Sequence, residues 1–356
     1  MLHKRNLYYL VVLIIAILLL AITYGYYWHK SIANNKKINL NNNNISVNAS
    51  AMKGKIIGVD GSYLNSSSID IPLKYNITWM RFDVGFTPQI ENGLFDLNRS
   101  GYHIIGILDY ATMCDNSTSS KINCTWSLND WNASVRNAIS TYPFIHVWEI
   151  YNEPQLPTYY SGIYNGSPYV YYLMLKGAYK IIEQNNSNDT VLCLGGDNLF
   201  LGNMQGSAYD YEWAKSLWSY NASRYCTAIS LHAYSDMLML NSYIPGTNMT
   251  MQNEFLMYLN LYENLTQKQI WITESGIPSN NAAGTNGLNN TLLNQARYLN
   301  GSFGLFLSKP YVKAVLWFHL VGSTSNGYSF DYGLFYKNMT PKLAIGAYER
   351  YAMYTK

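Results

Sequence analysis

Eight short apolar runs recur along the chain, and longer stretches that can form helices lie between several of them. The runs are KIIGVD (55–60), TWMRFDV (78–84), YHIIGILDY (102–110), IHVWEIYNE (145–153), TVLCLGG (190–196), CTAISLHAY (226–234), QIWITES (269–275) and VKAVLWFHL (312–320). They are nearly continuous rather than alternating, as strands of a parallel sheet covered on its outer face are. The helical candidates include Ala133–Thr141, Tyr169–Gln184, Tyr211–Tyr220 and Leu292–Ser308. Eight strand-and-helix units over roughly 300 residues fit a closed (β/α)8 TIM barrel better than an open, doubly wound sheet. The 356 residues are enough for one large core. No second linker and no solenoid-type repeat interrupts the stretch after about residue 54.

Ahead of the barrel, Leu7 to Trp28 is almost unbroken apolar sequence, preceded by Lys4 and Arg5. Its length is that of a bilayer span, and it exceeds the usual apolar core of a cleaved signal peptide. We therefore expect residues 1–6 to be a cytoplasmic N-terminus and 7–28 a transmembrane signal anchor. Residues 29–53, Asn-rich and polar, would be a stalk, and 54–356 the catalytic-sized domain. Lys30, Lys36 and Lys37 lie beyond the span, so charge alone orients it poorly. The glycosylation sequons orient it better. About 17 N-x-S/T sites occur where chance gives about 6. Asn65, Asn76, Asn116, Asn221, Asn264 and Asn338 are examples. Everything after residue 30 is thus expected outside the cell, at the surface, or secreted if the span is cleaved. Four cysteines suit that setting as bridges: Cys114 with Cys124 in a short loop, and Cys193 with Cys226 between neighbouring strands.

Composition removes other classes. The net charge is +3 and no basic stripe stands out, which argues against a nucleic-acid partner. Charged residues are only 13% of the chain while aromatics reach 15%, with 34 tyrosines. Such a surface can stack on sugar rings, and it also suits an acidic exterior in which carboxylates are often protonated. Nothing in the sequence speaks to oligomeric state.

In a barrel of this kind the active site gathers at the carboxyl ends of the strands. Strand 2 brings Arg81, strand 3 Tyr110, strand 4 Asn152 and Glu153, strand 6 His232 and Tyr234, strand 7 Glu274, and strand 8 Trp317 and His319. Asp60, Asp83 and Asp109 read as braces of strand ends, and Trp148 and Trp271 as packing. Two glutamates therefore stand at the mouths of strands 4 and 7. Glycosidic cleavage needs such a pair: one carboxylic acid protonates the leaving oxygen, and one carboxylate meets the oxocarbenium-like carbon. Their environments must push the two pKa values apart. Arg81 is the cation suited to hold the nucleophile ionised. Asn152 is the amide suited to a sugar hydroxyl.

The string WEIYNEP resembles the acid/base signature of clan A retaining glycoside hydrolases, and WITESGIP resembles their nucleophile strand. WMRFDV, SLHAY, LWFHL and the closing GLFYKNMTPKLAIGAYERY extend the likeness from about residue 55 to 350. Family 39 and the cellulase-like family 5 are the most similar. The resemblance implies Glu153 as acid/base, Glu274 as nucleophile and Asn152 as the 2-hydroxyl contact. It further implies that Arg81 and Tyr234 bond the nucleophile, His232 lines the subsite, and Trp317 is the platform under the sugar. Double displacement on a β-linked glucan, xylan or mannan would follow, with no metal or organic cofactor. A non-catalytic glycan-binding surface barrel is the alternative, though it has no need of both carboxylates. A metal hydrolase would need clustered ligands, whereas His103, His146, His232 and His319 are scattered.

Overall fold

The structure is a computed structural model. It describes residues 49–356 except 62–63, 65–66, 86, 110–111, 113–126, 157–164, 200–205, 236–238, 245–246, 281–290 and 323–330, and the side chains of 198 and 206–208. The chain divides into two units, 1–44 and 45–356, and the description concerns the second. The predicted span at 7–28, Tyr110, and the predicted Cys114–Cys124 bridge lie outside the described residues. Among the described residues no helix is long and apolar enough to cross a membrane.

Eight parallel strands close into a barrel in chain order. They are β1 (Ile56–Asp60), β2 (Trp79–Asp83), β3 (His103–Leu108), β4 (Val147–Ile150), β5 (Thr190–Asn198), β6 (Ala228–Tyr234), β7 (Gln269–Gly276) and β8 (Val312–Trp317). β8 returns to pair with β1, Ile56 facing Ala314 and Val59 facing Trp317. Each predicted run is a strand, because a strand covered on both faces needs apolar side chains at every position.

Seven helices of eleven or more residues are described: α1 (Pro88–Arg99), α2 (Leu128–Thr141), α3 (Pro168–Asn185), α4 (Gly206–Ser219), α5 (Met251–Thr266), α6 (Leu292–Leu307) and α7 (Ile345–Thr355). Their starts are written in side chains. Thr87, Ser167, Thr250 and Thr291 each accept from the backbone N–H three residues on, and Pro88 and Pro168 open their helices. Ser127 and Asp130 form a reciprocal capping box, so α2 begins five residues before the predicted Ala133. The stalk also ends sooner than expected. Ala49–Ala51 forms a 3-10 turn and Met52 is fully buried, so residues ahead of 54 already belong to the packed domain.

The barrel's lower interior is plugged by Ile105, Val147, Leu192, Ala228, Trp271, Ala314 and Leu316. A larger apolar layer fills the space between strands and helices. Trp271 belongs to the plug, while Trp148 faces outward and donates to Asp189 (3.3 Å). Cys193 and Cys226 form a disulfide between β5 and the entry to β6.

Candidate active site

Above the plug the interior turns polar, and Arg81 stands at its centre. It faces Ile105 across the β2–β3 ladder, so its side chain shares the interior face with that residue. Its Nε donates to Glu149 (2.5 Å), Nη1 to Glu274 (2.6 Å) and Asp60 (3.2 Å), and Nη2 to the Asn152 amide oxygen (2.7 Å). The planar fork of guanidinium donors suits this arrangement, which a point charge could not span.

Glu274 reaches the interior because β7 carries a bulge. Leu231 pairs with Ile272, but His232 pairs with Glu274, leaving Thr273 as the extra residue. One extra residue reverses the alternation of faces, so Glu274 joins His232 on the inner side. Thr273 itself donates to Glu149 (3.1 Å). The Tyr234 hydroxyl donates to the other Glu274 oxygen (2.5 Å).

Glu153 follows β4 in a tight turn. Tyr151 (φ 67°) and Glu153 (φ 43°) both adopt left-handed backbone, a sparsely populated region for residues with side chains. The Glu153 N–H donates to Gly195 O (2.6 Å). Only glycine fits at 195, since a Cβ there would lie 2.4 Å from Tyr151 O. His232 is fully buried between the two carboxylates. Its Nδ1 lies 2.9 Å from Glu153 and its Nε2 3.4 Å from Glu274. Both carboxylates keep a small opening to solvent, with about a tenth of each side chain exposed.

Burial raises Glu274 above the usual carboxylate range, and His232 and Arg81 offset only part of that. The expectation that Arg81 would hold Glu274 ionised thus needs amending: one cation is divided among Glu149, Asp60 and Glu274. Burial presses the His232 imidazole toward neutrality, but Glu274 and Glu153 outweigh it and raise its pKa. In its protonated form Nδ1 donates to Glu153, while Nε2, which makes no hydrogen bond, faces Glu274 as a nearby positive charge. His319 sits partly open at the end of β8, 2.8 Å from Asp60, which raises its pKa against the effect of burial.

The structure therefore brings together Glu153, Glu274, Asn152, Arg81, His232, Tyr234 and, through Asp60, His319. It does not bring Trp317 with them. Leu316 is in the plug, so the next residue on the strand faces outward. Trp317 is fully buried, edge-on to Tyr298 and near Phe303 of α6, and donates to Tyr332 O (2.7 Å). The platform assignment is corrected on that ground. The aromatic rings packed around Tyr234 are Phe318 and Tyr332. Sequence reading also passed over Glu149. Its signal was available: Val147 and Glu149 share a face of β4, and a carboxylate within an apolar strand needs a buried partner. Among the described residues the other two histidines lie elsewhere: His103 stacks on Trp79 (4.7 Å), beside the plug, and His146 pairs with Asp189.

A family model described as "Glycosyl hydrolase catalytic core" matches residues 198–351, from the end of β5 through α7. No curated protein sequence matches the chain. Solved structures do. A family 39 glycoside hydrolase from the gut symbiont Bacteroides cellulosilyticus WH2 superposes with a TM-score of 0.58 at 17% identity, over 86% of this chain and 64% of that one. Xylanase 10B from Thermotoga maritima gives 0.58 at 16%, over 86% and 97%. A β-glucuronidase from Ruminococcus gnavus gives 0.54 at 14%, over 83% of this chain and 49% of that one. The chain thus spans just under two thirds of the family 39 protein and half of the glucuronidase, and these identities speak to fold. The resemblance to clan A (β/α)8 glycoside hydrolases holds in both the family model and the barrel.

Proposed function

We propose that the protein is a retaining glycosidase acting on β-linked poly- or oligosaccharides of glucan, xylan or mannan type. The observation that carries this reading is two carboxylates flanking one imidazole in unlike surroundings. Glu274 is fixed on one oxygen by Arg81 and on the other by Tyr234. Glu153 is held through His232 and its own backbone, free of any direct bond from Arg81 among the described contacts.

In this reading Glu274 attacks the anomeric carbon as Glu153 gives its proton to the departing oxygen, breaking the glycosidic bond and forming a glycosyl ester. Glu153, now a carboxylate, takes a proton from water. The water oxygen then displaces Glu274, which leaves as carboxylate. As charge leaves Glu274 in the first step, its donors Arg81 and Tyr234 hold it in line, and they stabilise it again as it departs. Asn152, itself fixed by Arg81, presents its amide N–H to the sugar. The exposed sequon asparagines Asn221, Asn264 and Asn338 support an extracellular domain, held at the cell surface by the segment 7–28.

The test is sugar release from β-glucan, xylan, mannan and aryl glycosides, at acidic and neutral pH, with Glu274→Gln alongside. Wild type cleaves one class, and Glu274→Gln loses at least about a thousandfold. Glycan binding without release by either protein would instead support the surface-binding reading.

A further inference from the structure

β5 departs from regular pairing at one place, and the departure faces Glu153. Cys193 pairs with Ile229, yet Asp197 pairs with Leu231, so two extra residues are accommodated on β5. Leu194 (φ 74°), Gly195 (φ 57°) and Gly196 (φ 93°) form a left-handed run to do so. Each residue after Leu194 has a use. Gly195 O accepts the Glu153 N–H (2.6 Å). Gly196 is the floor under His232, since any Cβ there would lie 2.2–2.5 Å from the ring. His232 in turn holds Glu153 (2.9 Å). The backbone and the carboxyl of Glu153 are thus both set by this one segment.

Asp197 ends the segment and ties it to the outer layer. It is fully buried and accepts from the Tyr262 hydroxyl of α5 (3.2 Å). Asp210 of α4 lies close enough to repel it, as does Glu153 more weakly, and Tyr171 of α3 also feels its charge. No basic side chain is seen beside it among the described residues. Burial first, then Asp210, raise Asp197 far above the ordinary aspartate value.

We propose that Leu194–Asp197 is the seat of the acid/base carboxylate, with Asp197 as the positioning residue that locks the seat to the helical layer. The inference rests on reading Glu153 as the acid/base, and it reaches the chemistry through the proton transfers of Glu153, of which kcat/KM registers the general-acid step. That gives it a signature distinct from loss of structure. A poor leaving group needs the proton from Glu153, whereas a good one leaves without it.

The experiment compares kcat/KM on phenyl and 2,4-dinitrophenyl glycosides of the sugar that the wild-type full chain accepts. Asp197→Ala loses about a hundredfold on the phenyl substrate, the scale of a small misplacement of a reacting group. On the dinitrophenyl substrate it stays within about threefold. Asp197→Asn, neutral and of the same shape, stays within about threefold on both. Tyr262→Phe removes only the hydroxyl anchor and shows the same selectivity in weaker form, and it decides the matter if Asp197→Ala does not fold. Equal losses on the two substrates overturn the proposal, as does an Asn variant that behaves like Ala. A wild type that releases no sugar from any glycoside overturns the enzyme reading, and this inference with it.

Discussion

Arg81 satisfies three carboxylates and one amide with a single positive charge. Lysine has the charge but not the fork, so Arg81→Lys is expected to fold and to lose about a hundredfold in kcat with a small change in KM. Arg81→Met leaves the carboxylates without their shared cation and is expected to cost about 3–5 kcal/mol, measured by denaturant unfolding. The raised Glu274 also sets a direction for pH. Ionised Glu274 is the nucleophile, so kcat/KM falls on acidification from a pH above about 4.3, the ordinary glutamate value. Asp197 acts on stability with its own sign. The fold keeps its proton to higher pH than the unfolded chain does. Its contribution is whole below about 3.9 and is lost as pH rises through the folded value. Asp197→Asn removes that loss, so the Tm of the variant minus that of wild type should grow between pH 4 and 7. A difference that stays flat would contradict a raised Asp197.

The elements differ in how much of them the sequence discloses. The strands were legible because burial on both faces leaves unbroken apolar runs of strand length. Glu153, Glu274, Arg81, His232 and Tyr234 were legible as polar residues at the ends of those runs. Which way each side chain faces was not, because faces follow from register and a bulge is not written in hydrophobicity. Glu274 faces inward only because Thr273 is an extra residue, and regular alternation from Leu316 turns Trp317 outward. Helix starts were missed where caps were ignored, as at Ser127. Between β5 and β6 the Cys193–Cys226 bridge closes a separation of 33 residues that contains α4. Replacing both cysteines by serine is expected to cost about 2–4 kcal/mol, chiefly by freeing the unfolded chain. Activity should persist below the new Tm, since the bridge lies on the outer face.

At the scale of the whole domain, its first and last described elements finish one structure. β1 pairs with β8, and Gly54 N–H donates to Thr355 O beside them. Lys55 donates to Lys309 O (2.5 Å) and Lys313 to Gly54 O (2.8 Å). Ending the chain after residue 344 removes α7, whose Tyr348 and Tyr351 pack on Phe303. Such a truncation should lose cooperative unfolding, and far-UV circular dichroism against temperature checks it. The same closure bears on how the protein is made. The first strand leaves the ribosome more than 250 residues before its partner on β8. Until β8 has emerged, β1 lacks one of its two neighbours, and an unpaired strand margin is one that other chains can extend. Closing the barrel is therefore a late event of synthesis, and the β1 margin stays open to misassociation until the residues of β8 have emerged.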